Sequence, residues 1–596
     1  METKSEIKKR IDTLRALMTR EHMDGYLIVS DDFHGSEYVG DFFKERAYMS
    51  GFTGSAGVLV VLRDKAALWT DGRYFIQAEV QLQDTGITLM RQGLKDVPSL
   101  SDYLLAELRE GDVLGMDGRT ITVRRLKELE KKLEKKAITF KTDQDLVGQI
   151  WQDRPEMSHK PTWILKEALS GKSAAVKIGE IRTQMEQQEI KGYLMASLDD
   201  IGWLCNLRGA DVECTPVALA YVLIDSEKVI LYMQKESLND QVANYLTRNG
   251  IECADYFAIY EDLSSYSHDN IYFDPNKVNV SLLEQLPQTV KKMEGQDLTA
   301  LPKAKKNAVE LAGEKTAHVR DGVALTRFLY WLKTHVKTET ITEISGATTL
   351  EQFRKVQDGY LMPSFEPIFG YAGHGAIVHY SATKETDAAL RQEGFLLMDT
   401  GAHYDVGTTD VTRTVALGPA TERMKRHYTA VLIGHLALLN CKFPYGTTGT
   451  NLDVIAREPL WRLGLDFRHG TGHGVGHILS VHEGPQNISQ KWNQIPLEEG
   501  MVISDEPGYY ETGAYGIRIE NLMVVAKDEE SEYGQFFHFE PLTLCPYDRA
   551  SIDETMLSDV DKKRLNAYHK RVYEMISPHL QEEERMWLEN ETKPVS

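Results

Sequence analysis

The chain has 596 residues and a net charge of −21, from 68 Lys and Arg against 89 Asp and Glu. An acidic excess of this size argues against nucleic acid or an anionic membrane as a partner, and the length is enough to bury large cores without disulfides. The five cysteines (Cys205, Cys214, Cys253, Cys441 and Cys545) are odd in number and form no C-x-x-C, so free thiols in a reducing compartment are expected and not a thiolate metal site. The N-terminal METKSEIKKRIDTLR has no apolar leader. No apolar stretch approaches the roughly 20 residues that span a bilayer. A soluble cytoplasmic protein is the expectation.

In chain order, the first signal is an internal echo. Residues 11–32 (IDTLRALMTREHMDGYLIVSDD) and 178–200 (IGEIRTQMEQQEIKGYLMASLDD) align at a constant offset of 167, pairing Ile11 with Ile178, Arg15 with Arg182, Met18 with Met185 and Gly25-Tyr26-Leu27 with Gly192-Tyr193-Leu194. Each copy reads as a helix leading through glycine into a strand, so two tandem α/β domains are predicted. Strand-like runs follow at 57–62 and 67–70, and the polar stretch 153–161 reads as a linker. The second copy runs to about Leu301-Pro302. A long amphipathic helix is predicted next, over residues 303–333, with Leu325, Phe328, Leu329 and Leu332 on one face. From about 370 to 526 short apolar strands, glycines and clustered His, Asp and Glu dominate, interrupted by helical patterns near 423–441 and 451–463. The segment 556–591 is helical in pattern and rich in charge, which reads as a solvated terminal helix or, alternatively, an interaction surface. The domains are therefore placed at 1–155, 156–302 and 303–596.

Three clusters carry chemistry. Asp399 ends the strand of GFLLMDTG, and Asp410 begins the return strand of GTTDVTRTV, with a turn at 404–407 in which Asp405 is a turn residue. A hairpin can set both carboxylates on one face, where they share either a proton or a cation. His469, His473, His477 and His482 lie within fourteen residues among Gly470, Gly472, Gly474 and Gly476; the glycines disfavour a helix. A loop entering a strand is predicted, and spacing does not say which imidazole binds metal. Glu506 closes an apolar strand before Pro-Gly, and Glu520 returns in GIRIENLMV, where Arg518 and Glu520 share one strand face. Four carboxylates and an imidazole suit two divalent ions roughly 3.5–4 Å apart, with Mn²⁺, Zn²⁺ or Co²⁺ all plausible.

With Asp399, Asp410, HGTGH, DEPG and IRIEN in this order, and with SGFTGSAG, WTDGRYFIQA, WQDRPE, LRGADVE, VHYSA and VHEGP elsewhere, nearly the whole chain resembles the aminopeptidase P (Xaa-Pro aminopeptidase) family, in its long, three-domain cytosolic form. The resemblance implies two tandem creatinase-like α/β domains followed by a pita-bread metallopeptidase domain of α+β type with a helical C-terminal extension. It implies metal ligands Asp399, Asp410, His473, Glu506 and Glu520, with Asp410 and Glu520 bridging two ions, typically Mn²⁺. It implies substrate contacts from His379, His469, His482, Tyr510 and Arg518. The expected reaction is hydrolysis of the N-terminal Xaa-Pro bond of peptides by an activated water, with Glu506 moving its proton, His482 stabilising the oxyanion and His379 on the leaving proline side. Position 477 is usually not histidine in that form, so His477 is expected not to ligate metal and to lie behind the site or at the surface. A homodimer is a further expectation. The rivals are a prolidase that cuts Xaa-Pro dipeptides, whose chains usually lack the tandem repeat, and a non-catalytic binding protein on the same fold, which would have lost ligands.

Overall fold

Thr3 caps the first helix, Lys4–Arg20, through a capping box with Glu6, and Ile7, Ile11, Leu14 and Met18 turn its apolar stripe inward. In this computed structural model, which describes residues 3–596, that helix feeds the central strand of a six-stranded mixed sheet. The strand Gly25–Ile28 lies antiparallel to Val58–Leu62 and parallel to Val113–Met116. In the second copy Gly192–Met195 lies antiparallel to Ala220–Asp225 and parallel to Asn270–Phe273. The two sheets have the same strand order and the same sequence of parallel and antiparallel pairings throughout. The offset read from the sequence is thus an offset between equivalent strands. Both copies fall in one compact unit, 3–166 with 172–299, and the second unit comprises 167–171 and 300–596.

The stretch 153–161 is irregular, as a linker should be, but it is not loose. Arg154 is buried against Glu45 (2.6 Å) and Asp145 (3.0 Å), with its guanidinium over the Phe42 ring. The long helix also starts later than its apolar pattern suggested. A short helix, Ala300–Ala304, comes first, and Asn307 then caps Ala308–His335 in a capping box with Glu310. Leu325, Phe328, Leu329 and Leu332 are buried as predicted, but so are Glu310, Glu314, His318 and Asp321. The helix is enclosed on more than one side.

The second unit positions the candidate site with two hairpins. Phe395–Thr400 pairs with Val411–Ala416, and beyond a gap the same two chains continue as Ala402–Tyr404 and Gly407–Thr408 in another sheet. Val502–Asp505 pairs with Asn521–Ser531, and beyond a gap Gly508–Glu511 pairs with Tyr515–Arg518. In both hairpins the register on the two sides of the gap is the same. The predicted continuous strand through Ile519 and Glu520 is therefore broken at those residues, because Pro507 opposite offers no N–H to the ladder. In the other hairpin a Cβ at Gly401 would collide with the Thr409 carbonyl, so only glycine allows that approach. The helices Glu422–Leu439 and Gly449–Trp461 match their predicted patterns. The terminal segment does not. It forms two helices, Asp559–Ile576 and Glu582–Glu591, and Leu565, Tyr568, Val572 and Ile576 sit in the same apolar core as the strands around Ile503 and Ile519. The reading of a solvated helix is corrected: charge dominates the sequence there, but the buried stripe is apolar.

Candidate metal centre

The gaps in the hairpins are where the acids collect. Continuing the register through the second hairpin sets Glu506 directly opposite Glu520. In the first, Asp399 lies opposite Thr412, which shares a strand face with Asp410, so the two aspartates are diagonal neighbours. Like charges facing each other across a ladder are destabilising unless something neutralises them. The hairpins are joined side by side: the Glu520 N–H donates to Thr412 O (3.1 Å), and the Thr414 hydroxyl donates to Arg518 O (3.1 Å).

Three groups of candidate ligand atoms result, each with its atoms within 4.8 Å of one another: Asp399, Asp410 and Glu520; His473, Glu506 and Glu520; and Asp410, His473 and His482. Asp410, His473 and Glu520 each belong to two groups. No cysteine enters any of them. Burial pushes the carboxyl groups of Asp399, Glu506 and Glu520 above the usual range, and neighbouring carboxylates add to this. Burial would lower the His473 imidazolium, but Asp410 and Glu506 outweigh it and push it up to about 9. Without a cation the cluster therefore retains protons.

The donor set fits divalent cations in three further respects. Arg518 donates to Asp399 Oδ2 from Nε (3.1 Å) and Nη2 (2.5 Å), while the buried Oδ1 has no hydrogen-bond partner among the described residues. A buried acceptor left so is costly and needs an explanation. Glu520 Oε2 accepts from the Thr412 hydroxyl (2.7 Å), which orients the carboxylate. His473 lies in a two-residue strand, Gly472–His473, paired with Asn487–Ile488. Its Nδ1 donates to Gly474 O (3.0 Å), so Nε2 is the nitrogen that faces the acids, 3.5 Å from both Asp410 and Glu506, and the one that a cation would take in place of a proton.

The remaining candidates fall around this cluster. The His482 ring lies 4.3 Å from the His473 ring, centroid to centroid. His469 Nδ1 donates to Gly470 O (2.7 Å), and its Nε2 lies 2.8 Å from the Tyr510 hydroxyl. Tyr510 O accepts in turn from Arg518 Nη1 (2.7 Å). Burial holds the Tyr510 hydroxyl above its usual range, so it stays protonated. His379 is half-buried in a turn whose preceding residue, Val378, accepts Arg518 Nη2 at 3.3 Å. His477 is not at the surface. Its Nδ1 lies 2.7 Å from Glu314 of the long helix, and Glu314 also accepts the Thr408 N–H. The sequence reading missed Glu314, Thr412 and Ser504, whose hydroxyl accepts the His473 N–H (2.9 Å) and donates to Glu506 (3.3 Å). Thr412 could have been found, since it lies two residues from Asp410 on the same face. Nothing local marks Glu314.

Family models match in sequence along the chain: creatinase/prolidase N-terminal domain at 10–147 and again at 153–310, metallopeptidase family M24 at 313–527, and the C-terminal region of that peptidase at 535–595. Xaa-Pro aminopeptidase 1 of Dictyostelium discoideum is 38% identical over 99% of this chain and 97% of its own. Aminopeptidase P2 of Arabidopsis thaliana is 37% identical over 100% of this chain and 89% of its own. The X-prolyl aminopeptidase of Caenorhabditis elegans, described as a cytosolic enzyme with a di-nuclear active site, has the same fold at a TM-score of 0.95 and 33% identity, over 99% of this chain and 100% of that one. On this evidence the chain belongs to the Xaa-Pro aminopeptidase family of M24 metallopeptidases.

Proposed function

We propose that this protein hydrolyses the N-terminal Xaa-Pro bond of peptides, with Asp399, Asp410, His473, Glu506 and Glu520 holding two divalent cations, Mn²⁺ before Zn²⁺ or Co²⁺. The observation that carries the reading is the complete set of four carboxylates and one imidazole at and beside the hairpin gaps, with Asp399, Asp410 and Glu520 buried and with Asp410, His473 and Glu520 each shared between two groups. Bound there, two cations supply the charge that activates water at neutral pH and stabilises developing negative charge.

The chain's own groups do the rest. Glu506 faces both His473 and the centre of the cluster, so its carboxylate takes the proton of the attacking water and passes it to the departing nitrogen. His482 donates a hydrogen bond to the oxyanion that forms from the scissile carbonyl. The Arg518–Tyr510–His469 chain fixes the wall beyond the cluster, and His379 stands on the proline side. A free substrate amine docks beside the cations and their carboxylates, which confines cleavage to the first residue. Proline has no N–H, so the adjoining subsite needs no acceptor. The proposed enzyme is a cytosolic homodimer, in keeping with the worm enzyme's description as cytosolic and, for the dimer, with the family resemblance alone.

The test is kcat/KM for Arg-Pro-Pro, its N-acetyl form, Arg-Ala-Pro and the dipeptide Arg-Pro, with and without Mn²⁺. Arg-Pro-Pro is expected to be cleaved and acetylation to abolish turnover. Arg-Ala-Pro should be slower by roughly one to two decades, because its buried N–H finds no partner at about 1–3 kcal/mol. Cleavage of Arg-Pro with none of Arg-Pro-Pro would make the protein a prolidase. Equal rates on Arg-Pro-Pro and Arg-Ala-Pro would overturn the proline rule.

A further inference from the structure

Glu343 lies in the first turn of the helix Glu343–Lys355, away from the ligand cluster, and its side chain is fully buried. A buried carboxylate is costly unless its lone pairs are filled, and here they are filled by one segment of chain. Oε1 accepts the Tyr371 N–H at 2.7 Å. His374 Nδ1 lies 2.9 Å from Oε1 and 3.1 Å from Oε2. Oε2 accepts the Tyr380 hydroxyl and the Ala388 N–H, each at 3.0 Å. All four partners fall between 371 and 388, a stretch with only a short 3₁₀ turn, Ala372–Ala376, of regular structure. The Glu343 N–H donates back to Ala388 O (3.1 Å), closing the loop on itself. The His374 ring stacks on Tyr380 with 4.5 Å between centroids.

The far side of this segment meets the candidate site. Val378 O accepts Arg518 Nη2 (3.3 Å), Ile377 and Tyr510 pack against the apolar cluster of Ile368, Tyr380 and Leu397, and His379 lies between Val378 and Tyr380 in sequence. An irregular segment of this length has many conformers, and alongside bonds such as Ile344 N–H to Asp387 Oδ1 (3.0 Å), four of its residues bind the one buried side chain of Glu343.

We propose that Glu343 is a positioning residue: its carboxylate ties residues 371–388 into the one arrangement that presents His379 and the Val378 carbonyl to the proline side of the site. The proposal rests on the reading of His379 given under the proposed function. It predicts that Glu343 acts on the reaction through this segment and not through the metal ligands.

The experiment is a double-mutant cycle of Glu343→Ala and His379→Ala on the Mn²⁺-loaded enzyme with Arg-Pro-Pro, together with amide hydrogen exchange and bound-metal analysis. Glu343→Ala should lower kcat/KM by about 10²-fold, the order of loss expected from a misplaced group. Glu343→Gln, which keeps one acceptor oxygen, should lose less. The double variant should be no slower than His379→Ala alone. Exchange should quicken within 371–388 only, with two metals retained. Additive losses, loss of metal, or faster exchange across the whole 300–596 unit would overturn the proposal. If Glu343→Ala does not fold, Glu343→Gln and Tyr380→Phe decide it by the same localised exchange. Full activity in His379→Ala would overturn the reading of His379, while exchange confined to 371–388 would still uphold Glu343 as the tie.

Discussion

A single imidazole with its tautomer fixed can be a ligand or a hydrogen-bond donor, and in the proposed function His473 and His482 divide these roles. His473 is held by the Gly474 carbonyl at Nδ1 and presents Nε2 to Asp410 and Glu506. His473→Ala should therefore lose metal. His482→Ala should keep it and lower kcat by on the order of 10²–10³, the usual cost of one oxyanion donor. Metal content of the purified variants checks this, and a metal-free His482→Ala protein would reverse the assignment. At this scale the sequence was informative where spacing alone sets geometry. Asp399 and Asp410 were readable as partners on one hairpin face, and Asp405 as a turn residue, where it now accepts Arg320 at 2.8 Å. It was silent where a partner is remote. Glu314 reaches His477 across 163 positions and Arg518 reaches Asp399 across 119, and no periodicity encodes such pairs.

At the scale of elements, the terminal helix Asp559–Ile576 shows why a charge-rich pattern misleads. Lys and Glu on its outer face hide a buried face that carries His569, whose Nε2 accepts the Tyr547 N–H at 3.2 Å. Burial first, and Arg413 second, hold the His569 pKa down to about 3. The unfolded chain takes up a proton near pH 6.5, so this histidine's contribution is complete above that pH and is lost as pH falls from 6.5 towards 3, by about 1.4 kcal/mol per unit. His569→Gln keeps an acceptor at the same place and does not titrate. Thermal midpoints at pH 7 and pH 5 should fall less steeply for the variant than for the wild type. Equal falls would show that His569 is not held neutral. Helix existence was legible for the long helix, for the two helices near 423–441 and 451–463 and for the terminal segment, but the helix Glu343–Lys355 went unread, and helix starts were not always legible. The cap at Asn307 decided where the long helix begins, against an apolar pattern that ran on upstream.

For the molecule as a whole, the repeat at an offset of 167 was the strongest sequence signal, because it needs no propensity: equal spacing over a helix and a strand already implies equal sheets. What it could not give is the grouping of both copies into one compact unit. All the candidate ligands lie in the other unit. A ligand that binds only the folded form stabilises by about 2.7 kcal/mol at a hundredfold excess over its Kd. Scanning calorimetry should accordingly resolve a transition of the 300–596 unit that rises with Mn²⁺ and falls with chelator, beside one of the N-terminal unit that ignores both. Asp410→Asn should make the first transition indifferent to metal. A uniform shift of both transitions, or none, would count against a site confined to the second unit.

The unbroken register across each hairpin gap also has a hereditary side. Below the gap, between the ligands and the sheet, adding one residue turns a carboxylate to the wrong face, so chain length there is pinned to the residue. Beyond it the two ribbons differ: Thr512–Ala514 is exposed and its length is free to drift over evolutionary time, whereas Asp405–Val406 packs on the long helix, with the Asp405 N–H on Gly359 O (2.7 Å) and Arg320 on its carboxylate (2.8 Å). Descendants of this gene can lengthen or trim the exposed Thr512–Ala514 tip without retuning the centre, while a single inserted codon between Asp410 and Thr412 would abolish it.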